Sequence, residues 1–88
     1  MIEREITVIN KAGVHARPSA MIVKTASQFD SEVFLSCDGT EVNAKSIMSV
    51  MMLAAAQGSV VKIKTEGSDE MQAADAIAAL FASKFNEE

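Results

Sequence analysis

The sequence predicts an α+β fold in which helices cover one face of a β-sheet and the other face meets water. Two observations lead to this prediction. Apolar and polar side chains alternate in four short segments, as in half-buried strands, and apolar side chains recur at helical spacing in three others. The segments follow one another as β-α-β-β-α-β-α, and a length of 88 residues indicates one domain over residues 1–88.

The four strands are placed by their alternation and by the turn residues between them. They cover residues 2–8, 32–37, 40–43 and 60–66. Asp38-Gly39 separates the second strand from the third, and this dipeptide is a strong signal for a two-residue hairpin. The pairing order does not follow from these patterns, although a split βαβ arrangement agrees with them.

The helices are placed by recurring apolar residues and by end signals. They run from about 16 to 29, from Ser46 to a stop at Gly58, and from about 70 to 85. Pro18 falls in the first turn of the first helix, where its missing N–H costs nothing. In the second helix we expect Ile47 and Met51 to pack inside, with Met48 and Met52 partly exposed.

The third helix carries both a start signal and an inner face. Asp69 and Gln72 have the spacing of a capping box. The inner face is expected to contain Ala73, Ile77, Leu80, Phe81 and the stem of Lys84.

Composition argues against several classes of protein. The formal net charge of −4 disfavours nucleic acid as a partner, since a phosphate backbone is bound by a basic surface. The longest uncharged stretch, residues 46–61, is too short to span a membrane, and residues 1–8 alternate instead of forming a secretion signal. We expect a monomeric cytoplasmic protein that binds no nucleic acid and inserts into no membrane.

Cys37 is the single cysteine, so no internal disulfide can form. It shares a parity with Val33 and Leu35, which indicates a small buried residue on a strand and not a redox or metal site. One cysteine and one histidine do not make a usual zinc site, and neither a metal nor a cofactor is expected.

The single histidine stands in the segment NKAGVHARPS, at the entrance of the first helix. First-turn N–H groups lack partners within a helix, and the helix dipole adds about half a positive charge there, so such a position binds phosphate readily. Arg17 adds a guanidinium suited to phosphate oxygens. The positive end also favours a neutral imidazole, whose ring nitrogen can act as a nucleophile. These residues predict a phosphoryl acceptor at His15; the alternative is a histidine that only caps the helix.

Ser46 begins the second helix, where serine is a favoured N-cap whose replacement by alanine costs about 1 kcal/mol. That role alone explains the residue. The functional alternative is a phosphorylation site, because the helix dipole and Lys45 would stabilise a phosphate that changes the surface charge without unfolding the domain. Partly exposed methionines after Ser46 are typical of surfaces that meet several partners, and a methionine-rich edge of the core is the other interpretation.

Two of these segments resemble one known family. NKAGVHARPSA is similar to the active-centre segment of HPr, the histidine-containing phosphocarrier of the bacterial phosphoenolpyruvate-dependent phosphotransferase system. NAKSIMSV is similar to that family's regulatory serine segment. The two motifs occur in the family's order, and the resemblance extends over essentially the whole chain.

The resemblance implies an open-faced β-sandwich, with a four-stranded antiparallel sheet in spatial order 1-4-2-3 and three helices on one face. It implies that His15 accepts a phosphoryl group from phosphorylated enzyme I as a pros-phosphohistidine, and passes it to an enzyme IIA domain during sugar uptake. Arg17 would stabilise that phosphate. Ser46 matches the site of an ATP-dependent HPr kinase/phosphorylase, and its phosphate would hinder transfer and, in some bacteria, recruit a transcriptional regulator.

The resemblance also implies a partner-binding surface on the first two helices. By position it contains Arg17, Ala20, Met21, Lys24, Ser27, Ile47, Met48 and Met51. Val14, Ser19 and Ser49 depart from the family's commoner residues, and Ser49 lies within this surface, where it bears on recognition by the kinase or a regulator. The implied protein is a phosphoryl carrier, so it is a substrate of enzyme I and of the kinase and not an enzyme.

Two other functions are left open by the sequence. A paralogue from the nitrogen-related branch of the phosphotransferase system would use the same His15 chemistry but regulate without transport. A small α/β binding module would use His15 only as a helix cap. A hydrolase or transferase is not expected, since the sequence places no paired carboxylates, no P-loop and no nucleophile–base pair.

Overall fold

The computed structural model describes residues 1–86, and its elements follow the predicted order. They are β1 (Ile2–Thr7), α1 (Ala16–Ala26), β2 (Glu32–Cys37), β3 (Thr40–Asn43), α2 (Ile47–Leu53), β4 (Val60–Glu66), α3 (Glu70–Ala82) and a closing 3₁₀ turn (Lys84–Asn86). This β-α-β-β-α-β-α order confirms the prediction.

The four strands form one antiparallel sheet in the order β1-β4-β2-β3. This is the 1-4-2-3 order of the open-faced β-sandwich, so the expectation from the resemblance is confirmed. Strands β2 and β3 are joined by the predicted two-residue turn. Asp38 and Gly39 both have positive φ, at 52° and 84°, which is the backbone that lets a two-residue turn follow the twist of the strands.

The core lies between the sheet and the three helices. α3 contacts β1 and β4, α2 contacts β2 and β3, and α1 packs against both other helices. Side chains of alternate parity on the two central strands are buried against the helices, as period two requires: Val33 and Leu35 on β2, and Val61 and Ile63 on β4. Lys64, of the other parity, stays on the open face, where its Nζ lies 2.9 Å from Glu41 Oε2.

Two helices end earlier than predicted. α1 stops at Ala26 and not at Phe29, because the amides of Gln28 and Phe29 bond back only three residues, to Thr25 and Ala26, which tightens and closes the last turn. α2 stops at Leu53, well before Gly58. Ala54 takes a left-handed φ of 52° and turns the chain there.

The inward side of α2 differs from the prediction. Val50 and Leu53 are its buried residues, whereas Ile47 and Met51 are 42% and 47% exposed. The assignment of the latter two to the core was therefore wrong. Since each residue advances about 100° around a helix, burial of positions 50 and 53 turns positions 47, 48, 51 and 52 toward solvent. The predicted exposure of Met48 is confirmed, at 75%.

The end of α3 also departs from a continuous helix. After Ala82 the backbone turns left-handed at Lys84 and Phe85, with φ of 57° and 54°. This turn brings Phe85 into the core, where its ring meets the edge of Phe81 at 4.9 Å between centroids. Lys84 is consequently exposed, and its expected place on the inner face was wrong.

Asp69 precedes α3, but its carboxylate does not cap that helix, so the capping box with Gln72 was a wrong prediction. The carboxylate instead accepts hydrogen bonds from the amides of Asp30 and Ser31, at 3.0 and 2.9 Å, and from the Ser31 hydroxyl. It ties the turn before β2 to the start of α3, and this role depends on residues 38 and more positions away in sequence.

Replacing Asp69 by asparagine is expected to lower stability at neutral pH, with a difference that shrinks in acid. Hydrogen bonds from Ser31 and the Asp30 amide hold the pKa of the Asp69 carboxyl below its ordinary value of 3.8. A lowered folded-state pKa stabilises the fold fully above the ordinary value and progressively less as pH falls through the folded value. Urea unfolding midpoints of Asp69→Asn and the wild type, compared from neutral pH to about pH 3, check this. Equal midpoints at neutral pH would contradict it.

Replacing Ser19 by alanine is expected to raise the free energy of unfolding by about 1 kcal/mol. Ser19 is fully buried in the first turn of α1, and within residues 1–86 no group bonds to its Oγ. Alanine removes this unsatisfied hydroxyl and favours the helix. Urea unfolding measures the change, with Ser27→Ala as the exposed control, which should alter stability by less than about 0.5 kcal/mol. A destabilised Ser19→Ala protein would show that the hydroxyl has a partner.

Candidate functional site

The loop before α1 is held by a short set of backbone contacts. The Gly13 amide donates to the Asn10 carbonyl oxygen at 3.2 Å, and Asn10 Nδ2 donates to the Gly13 carbonyl oxygen at 2.8 Å. The next amide, of Val14, donates to the carbonyl oxygen of Ala55 at 2.8 Å. The residue after Val14 is His15, so the imidazole begins from a backbone fixed to the chain that follows α2.

His15 occupies the N-cap position of α1, as predicted. Its backbone is extended, with φ of −115°, and its carbonyl oxygen accepts the Ser19 amide at 2.8 Å, which begins the helix. The side chain is exposed and makes no capping hydrogen bond.

The first turn of α1 gathers groups that attract an anion. Arg17 is exposed beside the cap position, Pro18 is buried and has no N–H, and no acidic residue lies in this turn. The amides of Ala16 and Arg17 lie at the positive end of the helix dipole, where no earlier turn supplies a partner. The arrangement can hold the oxygens of a phosphoryl group carried by the His15 ring.

α1 and α2 run antiparallel beside each other. The Val14 amide meets Ala55, which joins the start of α1 to the end of α2. At the other end, Lys45 Nζ donates to the Phe29 carbonyl oxygen at 2.8 Å, which joins the end of α1 to the start of α2. His15 and Ser46 therefore lie at opposite ends of the pair, separated along α2 by roughly 10 Å of helix.

The outward sides of these two helices form what we call the α1–α2 face. Its exposed residues are Arg17, Ala20, Lys24, Ile47, Met48, Met51 and Met52. Of the other predicted partner-binding residues, Ser27 is exposed at the end of α1, and Met21 is half-buried against the core. The predicted residues thus come together on one side of the molecule. Met52, 75% exposed, adjoins them and was not among the binding residues predicted from the sequence.

Acidic residues are absent from the segments that form this face. Residues 6–29 and 42–65 contain no aspartate or glutamate, although the chain has twelve acidic residues. Both α1 and α2 lie within those segments, and Arg17 and Lys24 are exposed on α1. An acidic protein thus presents a surface that is apolar on α2 and basic on α1, which suits an acidic partner.

Ser46 is the N-cap of α2, as predicted. Its Oγ accepts the Ser49 amide at 3.4 Å, and the residue is partly buried. The turn before it is fixed by Asn43, whose Oδ1 accepts the Lys45 amide at 2.9 Å. The hydroxyl therefore lies at the surface end of a helix whose start is already well held.

The contact missed by sequence reasoning is the one between Gly13 and the chain after α2. Gly13 has φ of 70°, and an added Cβ would collide with the Ala55 carbonyl oxygen and lie 2.9 Å from Ala56 Cα. A glycine just ahead of a helix entrance was the available signal. It did not identify the distant partner, because residues 54–56 follow no pattern that marks them.

The described residues offer no sign of a reactive thiol, a metal site or a membrane-spanning helix. Cys37 is 6% exposed, as predicted, and burial together with the Asp38 carboxylate raises the pKa of its thiol, which disfavours a thiolate nucleophile. In the described part of the chain, no three His, Cys, Asp or Glu side chains are grouped so that they could hold a metal ion. Over the same residues, no helix is long and apolar enough to cross a membrane.

Comparison with known proteins identifies the family. The family model for the PTS HPr component phosphorylation site matches residues 2–83. Phosphocarrier protein HPr of Xylella fastidiosa strain Temecula1 is 52% identical over 88 residues, spanning 100% of this chain and 99% of that protein. Phosphocarrier protein HPr of Treponema pallidum strain Nichols is also 52% identical over 88 residues, covering 100% of both.

Solved structures give the same answer. The crystal structure of HPr-C-His from Thermoanaerobacter tengcongensis superposes with a TM-score of 0.95 at 50% identity, covering 100% of this chain and 99% of that one. The family model matches residues 2–83, and the relatives and the solved structure match the whole chain. The chain belongs to the HPr family, the phosphocarrier proteins of the phosphotransferase system.

Proposed function

We propose that this chain carries phosphoryl groups on His15, which it accepts from phosphorylated enzyme I and passes to enzyme IIA domains. The observation that carries the proposal is an exposed imidazole at the N-cap of α1, followed by an exposed Arg17 in a first turn that contains no acidic residue. Membership of the phosphocarrier family supports it. The protein is then a substrate of the enzymes on either side and not a catalyst.

The transfer needs a nucleophile and a place for negative charge. A lone pair on the Nδ1 atom of His15 attacks phosphorus, and the bond from phosphorus to its donor breaks as the new phosphorus–nitrogen bond forms. The three phosphoryl oxygens are stabilised by the Arg17 guanidinium and by the first-turn amides. In the second transfer, a histidine of enzyme IIA attacks the same phosphorus, and the electron pair of the breaking bond returns to His15.

Partner docking is assigned to the α1–α2 face. Its apolar part, Ile47, Met48 and Met51, offers area to bury, while Arg17 and Lys24 supply positive charge that steers acidic partners. Because His15 begins α1, a partner seated on this face has the imidazole at the edge of the contact. The same surface would serve enzyme I and enzyme IIA in turn, since both must reach the same nitrogen.

Regulation is assigned to Ser46, phosphorylated by an HPr kinase/phosphorylase with ATP. A phosphate there adds a charge of about −1.5 to −2 at a helix start, where the dipole tolerates it. The charge would lie at the end of the α1–α2 face far from His15, within the footprint of an acidic partner. We infer that it hinders transfer by repelling the partner and not by touching the imidazole.

Replacing His15 by alanine is expected to abolish acid-labile phosphorylation. Protein is incubated with enzyme I and phosphoenolpyruvate labelled in its phosphoryl group, and bound phosphate is measured before and after acid treatment. The wild type should carry phosphate that acid removes, and His15→Ala should carry none, since the chain has no second histidine.

The matched control for this experiment is Gln72→Ala, an exposed position on α3 away from the α1–α2 face, which should be labelled like the wild type. Labelled protein is then mixed with enzyme IIA domains of the sugar-uptake and nitrogen-related branches, and the acceptor identifies the branch served. A wild type that takes no label from enzyme I would rule out the carrier function.

Replacing Ser46 by alanine is expected to abolish acid-stable phosphorylation by an HPr kinase with ATP. It should also lower the free energy of unfolding by about 1 kcal/mol, because the Ser49 amide loses its cap. Phosphate is read out by mass spectrometry and stability by urea unfolding. Ser36→Ala, on the open face of the sheet, is the control that keeps the label. Acid-stable phosphate that persists in Ser46→Ala would contradict the assignment.

A further inference from the structure

Three methionine sulfurs lie together on the exposed side of α2. Met48 and Met52 are each 75% exposed, and Met51 is 47% exposed. Their spacing of i, i+3 and i+4 makes them neighbours on the helix surface, opposite the buried Val50 and Leu53. We call Met48, Met51 and Met52 the methionine cluster.

The other sulfur atoms of the protein are either shielded from solvent or lie away from α1 and α2. Cys37, the only thiol, is buried, and its pKa is raised by that burial, so it reacts poorly with oxidants. Met21 is half-buried against the core. Met1 and Met71 are exposed, at 64% and 56%, but neither lies on α1 or α2. Within residues 1–86, the methionine cluster is therefore the only group of well-exposed thioethers on the proposed docking surface.

We propose that the methionine cluster is a reversible oxidation site at which peroxide weakens partner docking. The inference rests on the proposed function, because it assigns regulation to the same α1–α2 face. An apolar contact could be made equally well by leucine, whereas a thioether adds sensitivity to two-electron oxidants.

The chemical step is oxygen transfer from hydrogen peroxide to sulfur. A lone pair of the thioether attacks one peroxide oxygen, a sulfur–oxygen bond forms, and the oxygen–oxygen bond breaks. The leaving hydroxide takes the proton of the transferred oxygen and becomes water. Sulfur is oxidised by two electrons and peroxide is reduced by two. Methionine sulfoxide reductases reverse the change with thiols as the reductant: two thiols are oxidised to a disulfide, the sulfur–oxygen bond breaks, and the oxygen leaves as water.

Oxidation of the methionine cluster is expected to weaken partner docking and to leave the fold intact. A sulfoxide is polar, so its burial under a partner leaves an acceptor that must find a hydrogen bond or lose binding free energy. The inner side of α2 is unaffected, because Val50 and Leu53 carry its contacts with the core. We expect oxidation to raise the half-saturating concentration of this protein for enzyme I about tenfold, with the circular dichroism spectrum unchanged.

The experiment measures transfer before and after oxidation. Protein is treated with hydrogen peroxide, the oxygens added to each methionine are located by peptide mass spectrometry, and acid-labile phosphorylation by enzyme I is followed against protein concentration. Treatment with methionine sulfoxide reductases A and B, with a dithiol as reductant, should then restore the original half-saturating concentration. The untreated protein reports on the proposed function alone, and the ratio between treated and untreated protein reports on this inference.

Two variants separate the cluster from the other sulfurs, each compared with its own untreated sample. In the triple variant Met48→Leu/Met51→Leu/Met52→Leu the ratio should fall to about one, whereas Met71→Leu should keep the tenfold ratio. The inference is overturned if the cluster takes up oxygen without change in transfer, if it resists oxidation, if oxidation unfolds the protein, or if the triple variant loses transfer as the wild type does. Failure of the untreated protein to accept phosphate overturns the proposed function and this inference together.

Discussion

The site depends on a close approach between two stretches of backbone. The Val14 amide reaches the Ala55 carbonyl oxygen at 2.8 Å, and the approach is possible because Gly13 has no Cβ to collide with that oxygen. Ala54 turns the chain at the end of α2 so that this carbonyl is presented. The contact fixes where α1 begins, and hence where His15 is held relative to α2. A side chain at position 13 would need both a strained φ and a displaced neighbour.

This contact joins the start of α1 to the end of α2, so the two helices run antiparallel. At the opposite end of the pair, a hydrogen bond from Lys45 Nζ to the Phe29 carbonyl oxygen holds the helices together. One surface thereby carries the imidazole at one end and Ser46 at the other, with exposed apolar side chains between them. A modification at Ser46 is too distant to alter the electronic state of the imidazole strongly through a screened surface. Under the proposed function, the Ser46 phosphate acts instead on the partner protein that spans the surface. The segregation of acidic residues away from both helices makes that surface sensitive to an added negative charge.

Local signals in the sequence predicted those features that depend on a few consecutive residues. Asp38-Gly39 formed its hairpin, and His15 with Pro18 marked the start of α1, because turn and cap geometry are decided within one or two turns of chain. Features that depend on distant partners were missed. The Asp69 carboxylate bonds to Asp30 and Ser31 instead of its own helix.

The inward side of α2 was a further wrong prediction, and its cause bears on the α1–α2 face. α2 has only seven residues, and nearly all of them are apolar. Its sequence pattern therefore does not determine which side of the helix faces the core. Packing against the sheet buries Val50 and Leu53, and the other apolar residues of α2 are consequently exposed to solvent. A helix anchored by only two buried side chains and by its ends can change its outer side without disturbing the core. That separation is the physical condition for a surface that is chemically modified while the fold beneath it stays intact.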